Sequence, residues 1–66
     1  MPDVLIAWTT ADGAEHEERW ASVERFRVWA LAQGMAAAWR AYAQDGDGEW
    51  ILADAGEIGR IRAGRP

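Results

Sequence analysis

Residues 4–34, VLIAWTTADGAEHEERWASVERFRVWALAQG, contain the signals for the first three elements of the chain. This segment predicts most of the architecture. It opens with a run of β-branched and aromatic residues at 4–10, which is typical of a strand. The dipeptide Asp12-Gly13 follows, and hairpin turns prefer such a pair because it tolerates positive φ. The polar segment 15–21 can return as the antiparallel partner, and its charges suit an edge strand because they discourage pairing between sheets. The stretch therefore begins with a predicted β-hairpin.

Two registers are open for this hairpin, because its loop can hold two residues or three. A two-residue loop places Leu5 opposite Trp20, whereas a three-residue loop with a bulge places Val4 opposite Trp20. A slip of one residue reverses the facing of every side chain in a strand. We expect the second register, because it groups four apolar residues on one face: Val4, Ile6, Trp8 and Trp20.

A single helix is predicted over SVERFRVWALAQ, the segment that ends just before Gly34. Ser22 is a favourable N-cap, because its hydroxyl can accept from a free amide of the first turn. Glu24 lies in that turn and suits the helix dipole. Gly34 tolerates the left-handed conformation that commonly ends a helix. At about 100° per residue, one apolar stripe is formed by Val23, Phe26, Trp29 and Ala30.

Residues 35–44, MAAAWRAYAQ, allow two interpretations. The alanines favour a helix by intrinsic propensity, whereas Trp39, Arg40 and Tyr42 fall in an alternating order that suits a strand. The next segment, DGDGEWILAD, reads as a loop followed by a strand over 49–54. We expect a second hairpin, since it makes the aromatic residues cross-strand neighbours; a second helix is the alternative.

Together these elements predict an α+β fold in the order β-β-α-β-β, with one antiparallel sheet and one helix packed on one of its faces. A single domain is expected over residues 1–57, and residues 58–66 are expected to form a short, loose, basic tail. Large tryptophans supply core area that a short chain otherwise lacks. The predicted core is Val4, Ile6, Trp8, Trp20, Val23, Phe26, Trp29, Ala30, Trp39, Trp50 and Leu52.

Composition argues against several functional classes. The 66 residues include no cysteine, one histidine and five tryptophans, and all seven basic residues are arginine. Residues 1–57 carry four arginines and eleven acids, a net charge of −7, whereas residues 58–66 carry +3. The acidic balance disfavours direct binding of nucleic acid or of an anionic membrane surface. We expect a cytoplasmic protein without a cofactor.

Two acidic clusters invite a chemical interpretation. The alternating acids Asp45, Asp47 and Glu49 could suggest a Ca²⁺ loop, but the twelve-residue ligand pattern of such loops is absent. His16 stands among glutamates, yet the only serine is expected to be the helix cap, so a nucleophile with its base is not assembled. We therefore predict no catalytic residues and no metal site. Residues 45–49 are expected to form a turn.

The order strand–DG–strand–Trp20–Ser22–helix–Gly34–strand–DGDGEW–strand resembles a widespread group of small bacterial and phage β-β-α-β-β proteins. In size and order it is also similar to phage-encoded anti-CRISPR inhibitors of type I systems. This resemblance covers residues 4–54 and rests on architecture, size and acidity. It implies a non-enzymatic inhibitor that binds a protein subunit of a CRISPR effector, or of another nucleic-acid-binding complex, inside a bacterial host.

The surface of such an inhibitor would combine acids that occupy a basic groove with an aromatic anchor, since tryptophan and arginine dominate binding hot spots. The main alternative is a small structural or assembly module that homodimerises through surplus apolar residues such as Val28, Leu31 and Trp39. The candidate partner-binding residues are Glu15, Glu17, Glu18, Asp45, Asp47, Glu49, Trp39, Arg40, Val28 and Leu31.

Overall fold

The computed structural model describes residues 3–59, and its elements follow the order β-β-α-β-β. The strands pair antiparallel in one sheet with the order β2-β1-β3-β4, so β2 and β4 are its edges. The predicted α+β fold is confirmed. The elements are β1 (Val4–Thr10), β2 (Glu15–Trp20), α1 (Val23–Ala32), β3 (Ala37–Gln44) and β4 (Trp50–Ile58).

The β1–β2 hairpin adopts the register that groups the apolar residues. Val4 lies opposite Trp20, and Trp8 lies opposite His16. The turn is closed by the Thr10 amide, which donates to the Ala14 carbonyl at 2.9 Å. Gly13 has φ +90°, a conformation that a residue with a side chain rarely adopts.

Asp12 organises this turn from its surface. Its carboxylate accepts from the Thr10 hydroxyl and from the Ala14 amide. These bonds favour the ionised form, so the Thr10 hydroxyl first and the Ala14 amide second lower the pKa of Asp12 from its ordinary value of 3.8. The turn is therefore better held when Asp12 is charged.

A pH titration tests this arrangement. Because the folded pKa is lowered, the stabilisation is present above pH 3.8 and is lost as the pH falls through the folded value. Carboxyl NMR shifts should show Asp12 titrating below its ordinary value, and Thr10→Val should move its pKa upward. An unchanged pKa in that variant would contradict the role of the hydroxyl.

Local signals in the sequence set both ends of α1. The Ser22 hydroxyl accepts from the Arg25 amide at 3.1 Å, as an N-cap should. Gln33 is the C-cap residue, and Gly34 follows with φ +69°. The helix lies against the sheet face that carries Ile6 and Trp8, where it buries Phe26 and Ala30.

Residues 35–44 are not a second helix, because β3 occupies Ala37–Gln44. Its odd-numbered residues face α1, since Trp39 pairs with Trp8 and Ala41 pairs with Ile6. The buried core consists of Ile6, Trp8, Phe26, Ala30, Ala37, Trp39, Ala41 and Ile58, and the residues packed against it are Val4, Trp20, Val23, Trp29 and Met35.

The prediction that Trp50 and Leu52 lie in the core is wrong. The pairing of β3 with β4 shifts between Ala41 and Tyr42, so that β4 holds one extra residue there. A bulge of one residue reverses the facing of the side chains beyond it. Trp50 is consequently half-buried on the opposite side of the sheet, and Leu52 is 54% exposed.

The end of the folded domain also differs from the prediction. β4 runs to Ile58, which is buried in the core, instead of ending at residue 54. Ile58 is therefore part of the folded domain and not of a tail, because it pairs with Ala37 under the helix. The rest of the predicted tail, residues 60–66, lies outside the described residues.

Within residues 3–59, α1 is the single helix, and its ten residues lack the length and apolar character needed to cross a membrane.

Candidate functional site: the open face of the sheet

The helix leaves one side of the sheet uncovered, and we call this side the open face. Side chains alternate along each strand, so the open face carries the residues between those of the core. Leu5 pairs with Arg19 on one side and with Tyr42 on the other. The open face thus has a mixed aromatic, aliphatic and charged surface, made of Leu5, Ala7, Glu15, Glu17, Arg19, Arg40, Tyr42, Trp50 and Leu52.

The open face is concave. Its two edge strands stand three strand spacings apart, about 14 Å in a flat sheet. The Arg19 guanidinium carbon nevertheless lies 5.2 Å from the ring centroid of Trp50. Side chains from opposite edges therefore meet above the middle strands, in a cation–π contact. Leu5 and Tyr42 form the half-buried floor beneath this contact.

An arginine stands in the middle of this concave surface. Arg40 is exposed, and its Nε donates to the Tyr42 hydroxyl at 3.2 Å. This bond orients the side chain along the face and leaves the two terminal nitrogens of the guanidinium to bind an acceptor. Glu17 and Arg40 both pair with Ala7, so the acid and the base flank the same residue.

The predicted acidic residues do not form one patch. Glu15 and Glu17 lie on the open face, but Glu18 pairs with Ile6 and so lies on the side of the helix. The strand β3 runs antiparallel to β1, which places the 45–49 turn at the other end of the sheet from Glu15. Of the predicted acidic residues, Glu15 and Glu17 alone line a groove together with Arg40.

The first acid of the 45–49 turn, Asp45, forms hydrogen bonds within the turn. The Asp45 carboxylate accepts from the amides of Asp47 and Glu49 at 2.8 and 2.9 Å. The Gln44 side chain closes the turn by donating to the Gly48 carbonyl at 3.0 Å. Asp45 thus holds the loop, as an Asx turn does, whereas Asp47 and Glu49 are exposed.

Trp39 lies in the predicted core, which confirms that placement, and its burial contradicts the alternative prediction that it is an exposed anchor. Its side chain is 5% exposed, because it lies in the core beside Phe26 and across Gly56. A Cβ added at Gly56 would lie 2.9 Å from the Trp39 ring. The indole needs the space that this glycine leaves.

The other apolar candidates are at the surface. Val28 is 60% exposed and Leu31 is 58% exposed, on the outer side of α1. Val28 borders a shallow groove with Trp20 and Trp29, both half-buried. These residues form an apolar area on the helix side, separate from the open face.

Sequence reasoning missed Leu5, Tyr42 and Trp50 as surface residues. The signal was present for two of them. Leu5 alternates with Val4 and Ile6, and Tyr42 is three residues from Trp39, so each must face away from the core. Trp50 had no such signal, because its facing depends on the bulge.

The nucleophile and base candidates of the sequence, Ser22 and His16, are both engaged in local contacts. Within 3–59 no group of three or more histidine and acidic side chains is placed to hold a metal ion. Ser22 is occupied as the helix cap, and the His16 ring stacks on Trp8 with centroids 5.2 Å apart. The open face presents charged, aromatic and aliphatic side chains together.

Comparison of the chain with protein families, with curated proteins and with solved structures finds no match.

Proposed function

We propose that the chain is a non-enzymatic protein-binding module and that the open face is its contact surface. The observation that carries the proposal is the uncovered concave face, on which an oriented Arg40 stands between acids and aromatic rings. Aromatic residues and arginine dominate binding hot spots. A partially preformed surface also loses less conformational entropy on binding than a flexible one.

The net charge of residues 1–57 favours a basic protein surface as the partner, although Arg19 and Arg40 balance Glu15 and Glu17 on the open face itself. Residues 1–57 carry a net charge of −7, and such a charge speeds encounter with a positive patch. Glu15 and Glu17 stand along one margin of the open face and would meet the cations. Trp50 and Tyr42 would supply the apolar anchor.

A basic groove that normally holds nucleic acid has this chemistry. We therefore propose that the chain inhibits a bacterial nucleic-acid-processing complex by occupying such a groove, as a phage-encoded, anti-CRISPR-like protein would. The architecture, the small size and the acidity support this identity. Asp47 and Glu49 would extend the contact to the far end of the sheet.

Charge reversal on the open face tests the proposal. Target-DNA binding by purified type I CRISPR effector complexes is measured at increasing concentrations of the chain. We expect the chain to reduce DNA binding and Glu15→Arg with Glu17→Arg to weaken inhibition at least about tenfold, because each arginine would repel the basic groove. Raising the salt concentration should weaken the inhibition by the unaltered chain.

The matched control is Glu18→Arg with Glu24→Arg. This pair changes the net charge from −4 to 0 as well, but both residues are exposed away from the open face. The control should inhibit nearly as well as the unaltered chain. Equal losses of inhibition in both double variants would reject the open face as the contact surface. An absence of inhibition by the unaltered chain would reject the proposed inhibitory function.

A further inference from the structure

The two edges of the sheet differ in how they are protected. Edge strands expose unpaired backbone amides and carbonyls, which can template pairing with another strand, and charged side chains discourage this. On β2, residues 15–19 are all exposed, and four of the five are charged. On β4, the segment Trp50–Ala53 has no charge, and Ile51 and Leu52 are 52% and 54% exposed.

The two exposed apolar residues of β4, Ile51 and Leu52, lie on opposite sides of the sheet. Leu52 pairs with Tyr42 and lies on the open face, whereas Ile51 pairs with Ala43 and lies on the side of the helix. A ligand resting on one face would cover only one of the two. A further strand added beside β4 would cover both and would satisfy the unpaired backbone groups.

We infer that this further strand is β4 of a second copy, paired antiparallel about a two-fold axis so that two sheets become one of eight strands. In such an isologous contact, if residue i of one copy meets residue j of the other, then residue j of the first copy meets residue i of the second. The register that we propose centres the axis between Ala53 and Asp54. It places Leu52 opposite the partner's Ala55 and Ile51 opposite the partner's Gly56.

The bulge makes this register possible. Residues opposite each other in a sheet must lie on the same face, but residues three apart in a regular strand lie on opposite faces. Leu52 and Ala55 pair with Tyr42 and Arg40, which share the open face, because the extra residue of β4 lies between them. The bulge thus gives Leu52 and Ala55 the facing that a symmetric pair requires.

Packing agrees with the register. Each large side chain meets a small one, since Leu52 meets alanine and Ile51 meets glycine. Glu57 lies opposite the partner's Trp50 and not opposite an acid, whereas the two copies of Asp54 lie diagonal to each other across the axis and repel. A chain this short also gains from association, because a core below about 70–80 residues rarely supplies more than a small margin of stability.

This inference does not rest on the proposed function, and it is compatible with it. The acidic β2 edges would lie at the two outer ends of the joined sheet. Glu15 and Glu17 would therefore stay accessible, and two open faces would form one surface.

Engineered cysteines test the register, because the chain has none of its own. In Leu52→Cys with Ala55→Cys, each new cysteine would face one of the partner, with Cα atoms about 4.5–5.5 Å apart, which is within disulfide range. We expect mild oxidation to give most of the protein as a reducible covalent dimer. Leu52→Cys alone and Ala55→Cys alone should give little, because like residues would be about 10 Å apart along the strands.

Analytical ultracentrifugation without cysteines gives the second measurement. The mass should double from 7.3 kDa with rising concentration, and salt should strengthen the dimer, because two chains of like charge repel each other. Ile51→Glu with Leu52→Glu should raise the dissociation constant at least about tenfold, and the equally exposed control pair Val28→Glu with Leu31→Glu should leave it unchanged.

Three outcomes would overturn the inference. They are a monomer at every concentration, equal cross-linking of single and double cysteine variants, and a dimer broken by the helix pair instead of the β4 pair. The salt response also separates this inference from the proposed function, because partner binding through acids should weaken as salt rises.

Discussion

Phe26→Ala should leave most of the protein unfolded at room temperature. Phe26 is fully buried at the centre of the aromatic cluster, with its ring centroid 5.0 Å from that of Trp8 and 5.4 Å from that of Trp20. Removing a buried phenylalanine costs about 3–5 kcal/mol. A core of this size supplies no more than about 3–5 kcal/mol in total, so the variant should lose its folded state.

The measurement is urea unfolding followed by tryptophan fluorescence, which reports directly on rings packed against Phe26. Val28→Ala is the matched control, because it shortens an apolar side chain of the same helix that is 60% exposed. Its free energy of unfolding should stay within about 0.5 kcal/mol of the unaltered chain. A cooperative transition of unchanged midpoint in Phe26→Ala would contradict the assignment of this core.

Gly59→Ala should be the most destabilising of the glycine substitutions. Gly59 has φ +69°, and a Cβ there would overlap the carbonyl oxygen of Met35 and lie 3.1 Å from the Ala36 Cα. Both obstacles are backbone, so they cannot rotate away as a flexible side chain would. We expect a loss of about 2–4 kcal/mol, from the left-handed conformation together with the displaced backbone.

Gly34→Ala separates these two contributions. Gly34 has the same φ of +69°, but nothing lies within 4 Å of an added Cβ. It should cost about 1–2 kcal/mol, the conformational cost alone. Urea midpoints of the two variants, compared at equal m-values, give the difference. Equal losses would show that the end of β4 does not close against the loop between α1 and β3.

The order of elements followed from short-range signals. The hairpin turn was predicted because Asp12 and Gly13 suit a tight turn, and the helix bounds because Ser22 can cap the first turn and Gly34 can end the last. Each signal acts within about four residues, so its physical cause is visible in the chain itself. The facing of β1 was equally accessible, because the three-residue loop places Val4, Ile6 and Trp8 on the same face as Trp20.

The candidate site was less accessible. Arg40, Glu15 and Glu17 were predicted as contact residues, and the structure brings these three to one groove. The acids of the 45–49 turn were grouped with them only by charge, and the antiparallel pairing of β3 with β1 carries them to the other end of the sheet. Residues with the same charge in the sequence can therefore lie far apart in the folded protein.

Local backbone preferences account for the β-β-α-β-β order, and alternation together with the position of Trp20 accounts for the hairpin register and for the burial of Trp8. The placement of Trp39 and Trp50, in the core or at the surface, depends on contacts between distant parts of the chain. Trp39 is buried because Gly56, distant in the chain, leaves room for its ring. Trp50 is turned to the open face because one extra residue in β4 reverses its facing, and that bulge exists only in the pairing of two strands.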